Sequence, residues 1–158
     1  MTRTPTGGHS SANLPDSDEH YTPPNVFEGL GLQFDLDVCA PVGGVPWIPA
    51  ARHFSLQDDG LTQPWAGRVW MNPPYSKPSP WVDRFIEHGN GIAYVAVTRG
   101  MWYNKIWEVA DAVCMDLYNS KGVRPDGHTK GNTFRQAFFA LGAENAEALR
   151  RLNFSRVR

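Results

Sequence analysis

The stretch "GIAYVAV", residues 91–97, is a near-continuous apolar run. A strand with one wet face alternates polar and apolar residues, so a run without alternation belongs to a strand covered on both faces. Such a strand needs a layer above it and a layer below it, and the flanking segments supply them. Upstream, "SPWVDRFIEHGN" spaces Trp81, Val82, Phe85 and Ile86 as one helical face, with Ser79 placed to cap it and Gly89 to close it. Downstream, a helix is predicted from Trp102 to Ala110.

The same alternation extends along the chain. Pro23 and Pro24 stand where a helix can begin, and Val26, Phe27 and Leu30 give it a short apolar face before Gly31. Strands are predicted at Phe34–Val38, within "ARHFSLQDDGL", at Arg68–Met71, at Ala112–Tyr118 and at Phe134–Leu141, and "AENAEALRRL" reads as a closing helix. Strands separated by helices predict an α/β fold with a mostly parallel sheet and helices on both faces. The last two strands are joined by "NSKGVRPDGHTKGNT", which has turn chemistry and no helical pattern, so an antiparallel hairpin is expected at one edge. Residues 1–20 are small, polar and rich in Gly and Pro, with little to bury, and read as a flexible tail. The remaining residues, 21–158, are expected to form one domain.

Composition excludes several classes. No apolar run approaches the ~18 residues of a membrane span, and the N-terminus has no leader pattern, so a cytoplasmic protein is expected. Cys39 and Cys114 are too few and too far apart for a disulfide scaffold, and the five histidines are scattered, so no metal site is predicted. Charge is uneven: residues 1–98 carry 5 Lys and Arg against 10 Asp and Glu, and residues 99–158 carry 10 against 6. A basic second part suits phosphate neutralisation, although dispersed cations also simply solvate a surface.

In open α/β sheets ligands lie at the carboxyl ends of the strands. Asp37 ends "FDLDV" and Asn72 follows "RVWM" directly. Each has a plain structural reading, since Asn-Pro begins turns and Asp often caps a neighbouring helix. The sequence "NPPY", Asn72, Pro73, Pro74 and Tyr75, says more. Asn72 offers a side-chain carbonyl, Pro73 offers a backbone carbonyl in a segment restricted by two imino rings, and Tyr75 offers a flat face. Two acceptors and a ring suit a planar group bearing an exocyclic amine. Accepting both amine hydrogens favours a pyramidal nitrogen and stabilises the charge that develops during methyl transfer, without a strong general base.

The ordered set "YTPP", "FDLDVCA", "DDGL" followed by Trp65, "WMNPPYS", and "AYVAV" followed by "TRGMWYNKIW" resembles the phage-type DNA adenine-N6 methyltransferases, which are related in function to Dam enzymes. The resemblance runs from about Tyr21 to Leu141. It implies a Rossmann-like class I methyltransferase fold, S-adenosylmethionine as methyl donor, and a flipped adenine of double-stranded DNA as substrate. It also implies roles: Asn72 to Tyr75 grip the adenine. Tyr21, Thr22, Pro23, Asp37 and Ala40 border the donor, with Asp58 or Asp59 contacting its adenine or ribose. Ser76, Thr98, Arg99 and Trp102 line the substrate cleft, and Trp102 equally suits the core. The chain is short for a separate target-recognition domain, so DNA contact and sequence specificity are expected from loops, from the basic segment holding Lys121, Arg124, Lys130 and Arg135, or from dimerisation. A bacterial or phage-infected cell is the implied setting, with restriction-modification among the roles and either a monomer or a homodimer as the active form.

One departure stands out. Many Rossmann-like methyltransferases have a glycine turn after the first strand, and here the chain reads "DVCAPVGGVP", with Gly43 and Gly44 further on; the phage-type family uses an acidic pattern at this place. "NPPY" also serves enzymes acting on cytosine N4, RNA guanine N2 or protein glutamine N5, and a degenerate DNA-binding relative would retain it too.

Overall fold

A computed structural model describes residues 21–116, 122–123, 127–130 and 135–152. The tail expected over residues 1–20 lies outside these. Helix α1 (Pro24–Leu30) leads into β1 (Phe34–Asp37) and β2 (Ala50–His53); β3 (Val69–Met71), α2 (Ser79–His88), β4 (Gly91–Ala96) and α3 (Met101–Val109) follow. The chain continues through β5 (Ala112–Asp116), the two-residue strands β6 (Gly122–Val123) and β7 (Thr129–Lys130), β8 (Gln136–Leu141) and α4 (Ala143–Arg150).

Six strands form one sheet in the order β2-β1-β3-β4-β8-β5. The β1–β2, β1–β3 and β3–β4 pairs are parallel, and β8 runs antiparallel to both β4 and β5. This is the expected α/β sheet of a Rossmann-like methyltransferase, mostly parallel with an antiparallel part. The last strand does not simply add to the edge. It inserts between β4 and β5, and all six of its residues are buried. The connection between β5 and β8 holds a small ribbon, β6 paired with β7, where only turns are legible in the sequence.

Each face of the sheet has its own core. On one, Val82 and Phe85 of α2 and Tyr103 and Ile106 of α3 pack over Leu36, Val69, Met71, Ala93, Val95, Ala137 and Phe139. On the other, Val26, Phe27 and Leu30 of α1 and Ala146 and Leu149 of α4 cover Phe34, Trp70, Ile92, Tyr94, Cys114 and Phe138. Burial of β4 is complete from Gly91 to Ala96, as an uninterrupted apolar run requires. One local expectation fails. Ser79 is the first residue of α2 rather than its cap; Pro78 occupies the cap position and no side chain caps the helix. Prolines at the start fix the backbone in a helix-ready geometry and remove an otherwise orphaned N–H, which makes a hydroxyl cap dispensable. Gly89 closes α2 in the left-handed conformation, as expected.

Candidate active site

Because β1, β2, β3 and β4 are parallel, their carboxyl ends lie along one edge, and the motifs separated in sequence converge there. Thr22 is buried beside "NPPY": the Asn72 side-chain nitrogen donates to its hydroxyl at 3.3 Å, and the Trp47 indole N–H donates to its carbonyl at 2.8 Å. The Tyr21 ring lies tilted against Trp47 at 6.5 Å. Pro23 is the N-cap of α1, and its carbonyl accepts from Val26 N–H at 3.2 Å. "YTPP" therefore forms a wall of the edge while it starts the helix that covers the sheet behind.

"DDGL" arrives for a steric reason. A Cβ on Gly60 would stand 2.3 Å from the Val38 carbonyl oxygen, so only glycine permits this approach to the end of β1. The Trp65 indole N–H then holds the Gly60 carbonyl at 2.8 Å. The two aspartates before it differ. Asp58 Oδ2 accepts from the Ser55 backbone N–H at 2.8 Å and from its hydroxyl at 3.0 Å, which closes a tight turn and lowers the carboxyl pKa. Asp59 is exposed with φ 54°, and among the described residues its carboxylate makes no hydrogen bond. In the segment that stands where a glycine turn is usual, Gly43 and Gly44 both have positive φ, and a Cβ on Gly44 would meet the His53 ring at 2.9 Å. That loop folds onto the end of β2.

Asp37 is a buried carboxylate at the end of β1, 3% exposed, and it accepts from Cys39 N–H at 3.2 Å. Burial raises its pKa to about 7, and the Cys39 hydrogen bond opposes the rise. Ala40 is buried next to it, with its N–H on the Phe54 carbonyl at 2.8 Å. Pro73 is buried, Pro74 and Tyr75 are half-buried, and Ser76 is exposed. Tyr75 is tied inward, since Gln136 Nε2 donates to its hydroxyl at 2.9 Å. Beside this contact the Tyr94 hydroxyl donates to Asp116 Oδ2 at 2.8 Å, and burial, then the Asp116 charge, raise the Tyr94 pKa. Gln136, Asp116 and Tyr94 carry no obvious sequence signal except one. Gln136 is the single uncharged polar residue in "FRQAFFAL", a strand predicted from its apolar character.

The remaining expected residues spread outward. Val97 N–H donates to the Arg135 carbonyl at 2.7 Å, so exposed Thr98, Arg99 and Arg135 share the carboxyl edge. The Thr98 hydroxyl accepts from Gly100 N–H at 3.0 Å, just before α3. Trp102 is half-buried, packs against the core under α2 and α3, and meets Tyr103 edge-on at 5.8 Å. Lys130 falls in β7, opposite Gly122, and Lys121 and Arg124 lie outside the described residues. Among the described residues, no cluster of His, Cys, Asp or Glu is arranged to hold a metal ion, and no helix is long and apolar enough to cross a membrane.

A DNA N-6-adenine-methyltransferase of Haemophilus phage HP1 is 37% identical over 82 residues, covering 49% of this chain and 46% of that protein. The chain thus spans about half the length of the curated relative it matches. No solved structure matches significantly. The family model for DNA N-6-adenine-methyltransferase (Dam) matches residues 9–120, which include "YTPP", Asp37, "DDGL" and "NPPY". By that match the chain belongs to the DNA N-6-adenine-methyltransferase (Dam) family.

Proposed function

We propose that the protein methylates the exocyclic N6 of a flipped adenine in double-stranded DNA, with S-adenosylmethionine as donor. The observation that carries the reading is the joining of "YTPP" to "NPPY" through the Thr22–Asn72 hydrogen bond, at the edge where Asp37 is buried. With the amide nitrogen of Asn72 turned to Thr22, its carbonyl oxygen belongs to the opposite side of the group. That oxygen and the Pro73 carbonyl accept the two hydrogens of the target amine, while the Tyr75 ring stacks on the base. Stacking offsets part of the few kcal/mol that extruding the base costs.

The donor fits the residues present. It is cationic and rich in N–H and O–H groups, and Asp37 is a buried carboxylate at the end of β1 with one main-chain partner. When bound, the donor supplies an electrophilic methyl group. Asp37 and Ala40 hold it at the end of β1, with Tyr21, Thr22 and Pro23 on one side. Asp59, uncommitted where Asp58 closes its turn, is the better contact for the donor's adenine or ribose. Thr98, Arg99, Ser76 and Arg135 meet the DNA backbone, as exposed residues of the same edge.

The test is direct. Purified protein, labelled donor and unmethylated DNA are incubated, and the DNA is digested to nucleosides. N6-methyladenine is the expected product, N4-methylcytosine would redirect the reading to the other base, and neither product from a protein that binds donor would reject it. Unmethylated RNA and protein substrates run in parallel separate the guanine and glutamine chemistries.

A further inference from the structure

The prolines of "NPPY" fix the backbone but leave the Tyr75 side chain to find its own orientation. Pro73 and Pro74 restrict φ at their own positions and ψ at the residues before them. Tyr75 follows the second proline, so neither ring limits its χ1 or χ2. A half-exposed ring left to itself samples several rotamers, and a stacking platform needs one.

The far end of that ring is held from another part of the chain. Gln136, 0% exposed, donates from Nε2 to the Tyr75 hydroxyl at 2.9 Å. It stands there because of topology. A parallel strand brings its last residue to the carboxyl edge, whereas antiparallel β8 brings its first, and Gln136 begins β8 opposite Ala96 on β4 and Asp116 on β5. Its side chain is firmly placed: the next residues of β8 are all buried, and Tyr94, which binds Asp116, stacks on Phe138 at 4.4 Å. Among the described residues its Oε1 accepts no hydrogen bond. An amide only half satisfied in a fully buried strand disfavours stability, and the bond it does make, from Nε2, is to the Tyr75 hydroxyl.

We propose that Gln136 is a positioning residue for base capture. By anchoring the Tyr75 hydroxyl it fixes the plane of the ring on which the target base stacks, so the ring is held at both ends, by the proline-restricted backbone and by β8. This rests on the reading of Tyr75 as the stacking face. It also explains why a tyrosine serves here where any aromatic ring would stack, since only the hydroxyl can be tethered.

The experiment is a double-mutant cycle on the full chain, with Tyr75→Phe, Gln136→Met and the double variant assayed on bulk unmethylated DNA. Each single variant is expected to lower kcat for N6-methyladenine formation roughly fivefold, the size of one net hydrogen bond. The double variant is expected to match the singles, because either change breaks the same link. Donor Kd and the KM for DNA should move less than about twofold, since backbone contacts dominate DNA affinity. Tyr75→Phe at wild-type kcat overturns the proposal, as do losses that multiply to about 25-fold in the double variant. If Gln136→Met fails to fold, the kcat of Tyr75→Phe decides alone. A wild-type protein that binds donor but makes no N6-methyladenine overturns the parent reading and this one together; an active wild type with a silent Tyr75→Phe overturns this one only.

Discussion

At the amino edge of the sheet Arg68 gives its Nε to Asn145 Oδ1 at 2.6 Å, its Nη1 to the Gln33 carbonyl at 3.1 Å and its Nη2 to Glu144 at 2.6 Å. Asn145, itself buried, passes its own nitrogen to Asn90 Oδ1 and the Leu141 carbonyl. Loops before β1, β3 and β4 are thereby fastened to the start of α4. At the carboxyl edge the buried polar groups are less complete: Asp37 has one main-chain partner, and Gln136 Oε1 has none among the described residues. Both edges bury polar side chains, but among the described residues only the amino edge satisfies all of them. A buried polar group with a full set of partners stabilises its surroundings, and one without them costs stability, so the incomplete edge is where a ligand has something to complete.

The largest expected effect tests the carboxyl edge itself. Asn72→Ala removes the side-chain acceptor proposed for the target amine and should lower kcat on the order of 10²–10³-fold, the range for deleting one preorganised transition-state group. Its thermal midpoint should shift far less than its activity, because the side chain is only half-buried. Equal losses of activity and folding would instead place Asn72 among the structural polar groups.

Asp37 gives the next effect, and it depends on pH. Its carboxyl titrates at about 7 in the folded protein against 3.8 for an unperturbed group. Between these values the folded state keeps a proton that the unfolded state has lost, so stability falls as pH rises from about 4 to 7 and levels off above. A cationic donor favours the ionised form, so donor Kd should weaken below pH 7, approaching a tenfold change per pH unit. Asp37→Asn should abolish that dependence, weaken donor binding about tenfold or more at pH 8, and raise the thermal midpoint there relative to wild type. Calorimetry with donor across pH 5.5–8.5 checks the first effect, and thermal melts of both proteins check the second. A pH-independent donor Kd in the wild type would remove Asp37 from the donor site.

What could be read in advance follows the range of the forces involved. The apolar run of β4, the proline start of α1, the glycine ends of α1 and α2, and Asp37 and Asn72 at strand ends are local patterns, and the sheet and half the candidate site follow from them. Strand order is not local. β8 is apolar on both faces, as any interior strand is, and nothing in "FRQAFFAL" says that it inserts between β4 and β5 instead of ending the sheet. Gln136 stands out in its strand as an uncharged polar residue, but its position at the site follows from the direction of β8, not from its neighbours in sequence. The Arg68–Asn145 link joins residues 77 apart and has no sequence signature at all. The expected cap at Ser79 failed because two prolines did the work of a hydroxyl.

Arg68→Ala tests the amino edge. It leaves buried Asn145 Oδ1 without its donor and should destabilise the fold by about 2 kcal/mol, with donor Kd and kcat unchanged in the folded fraction. A change in kcat would mean that the two edges are coupled through β3, and the contrast between a structural and a functional edge would fail.

The smallest effect separates the two halves of that same cluster. Glu144 receives Arg68 at 2.6 Å, yet its side chain is 85% exposed, against 21% for Arg68. Water screens an ion pair so placed, and its geometry also costs side-chain entropy, so the short distance is poor evidence of strength. Glu144 lies in the first turn of α4, where a negative charge gains a few tenths of a kcal/mol from the helix dipole. Glu144→Ala should therefore cost no more than about 0.5–1 kcal/mol, with most of that gone in 1 M salt as screening shortens the range of both terms. Asn145→Ala should cost more and be indifferent to salt, because its bonds are buried and mostly neutral. Urea melts of the two variants at low and high salt make the comparison. If Glu144→Ala proves the costlier and salt-sensitive change, the amino edge is held by surface charge, and its completeness no longer contrasts with the buried, incomplete polar groups opposite.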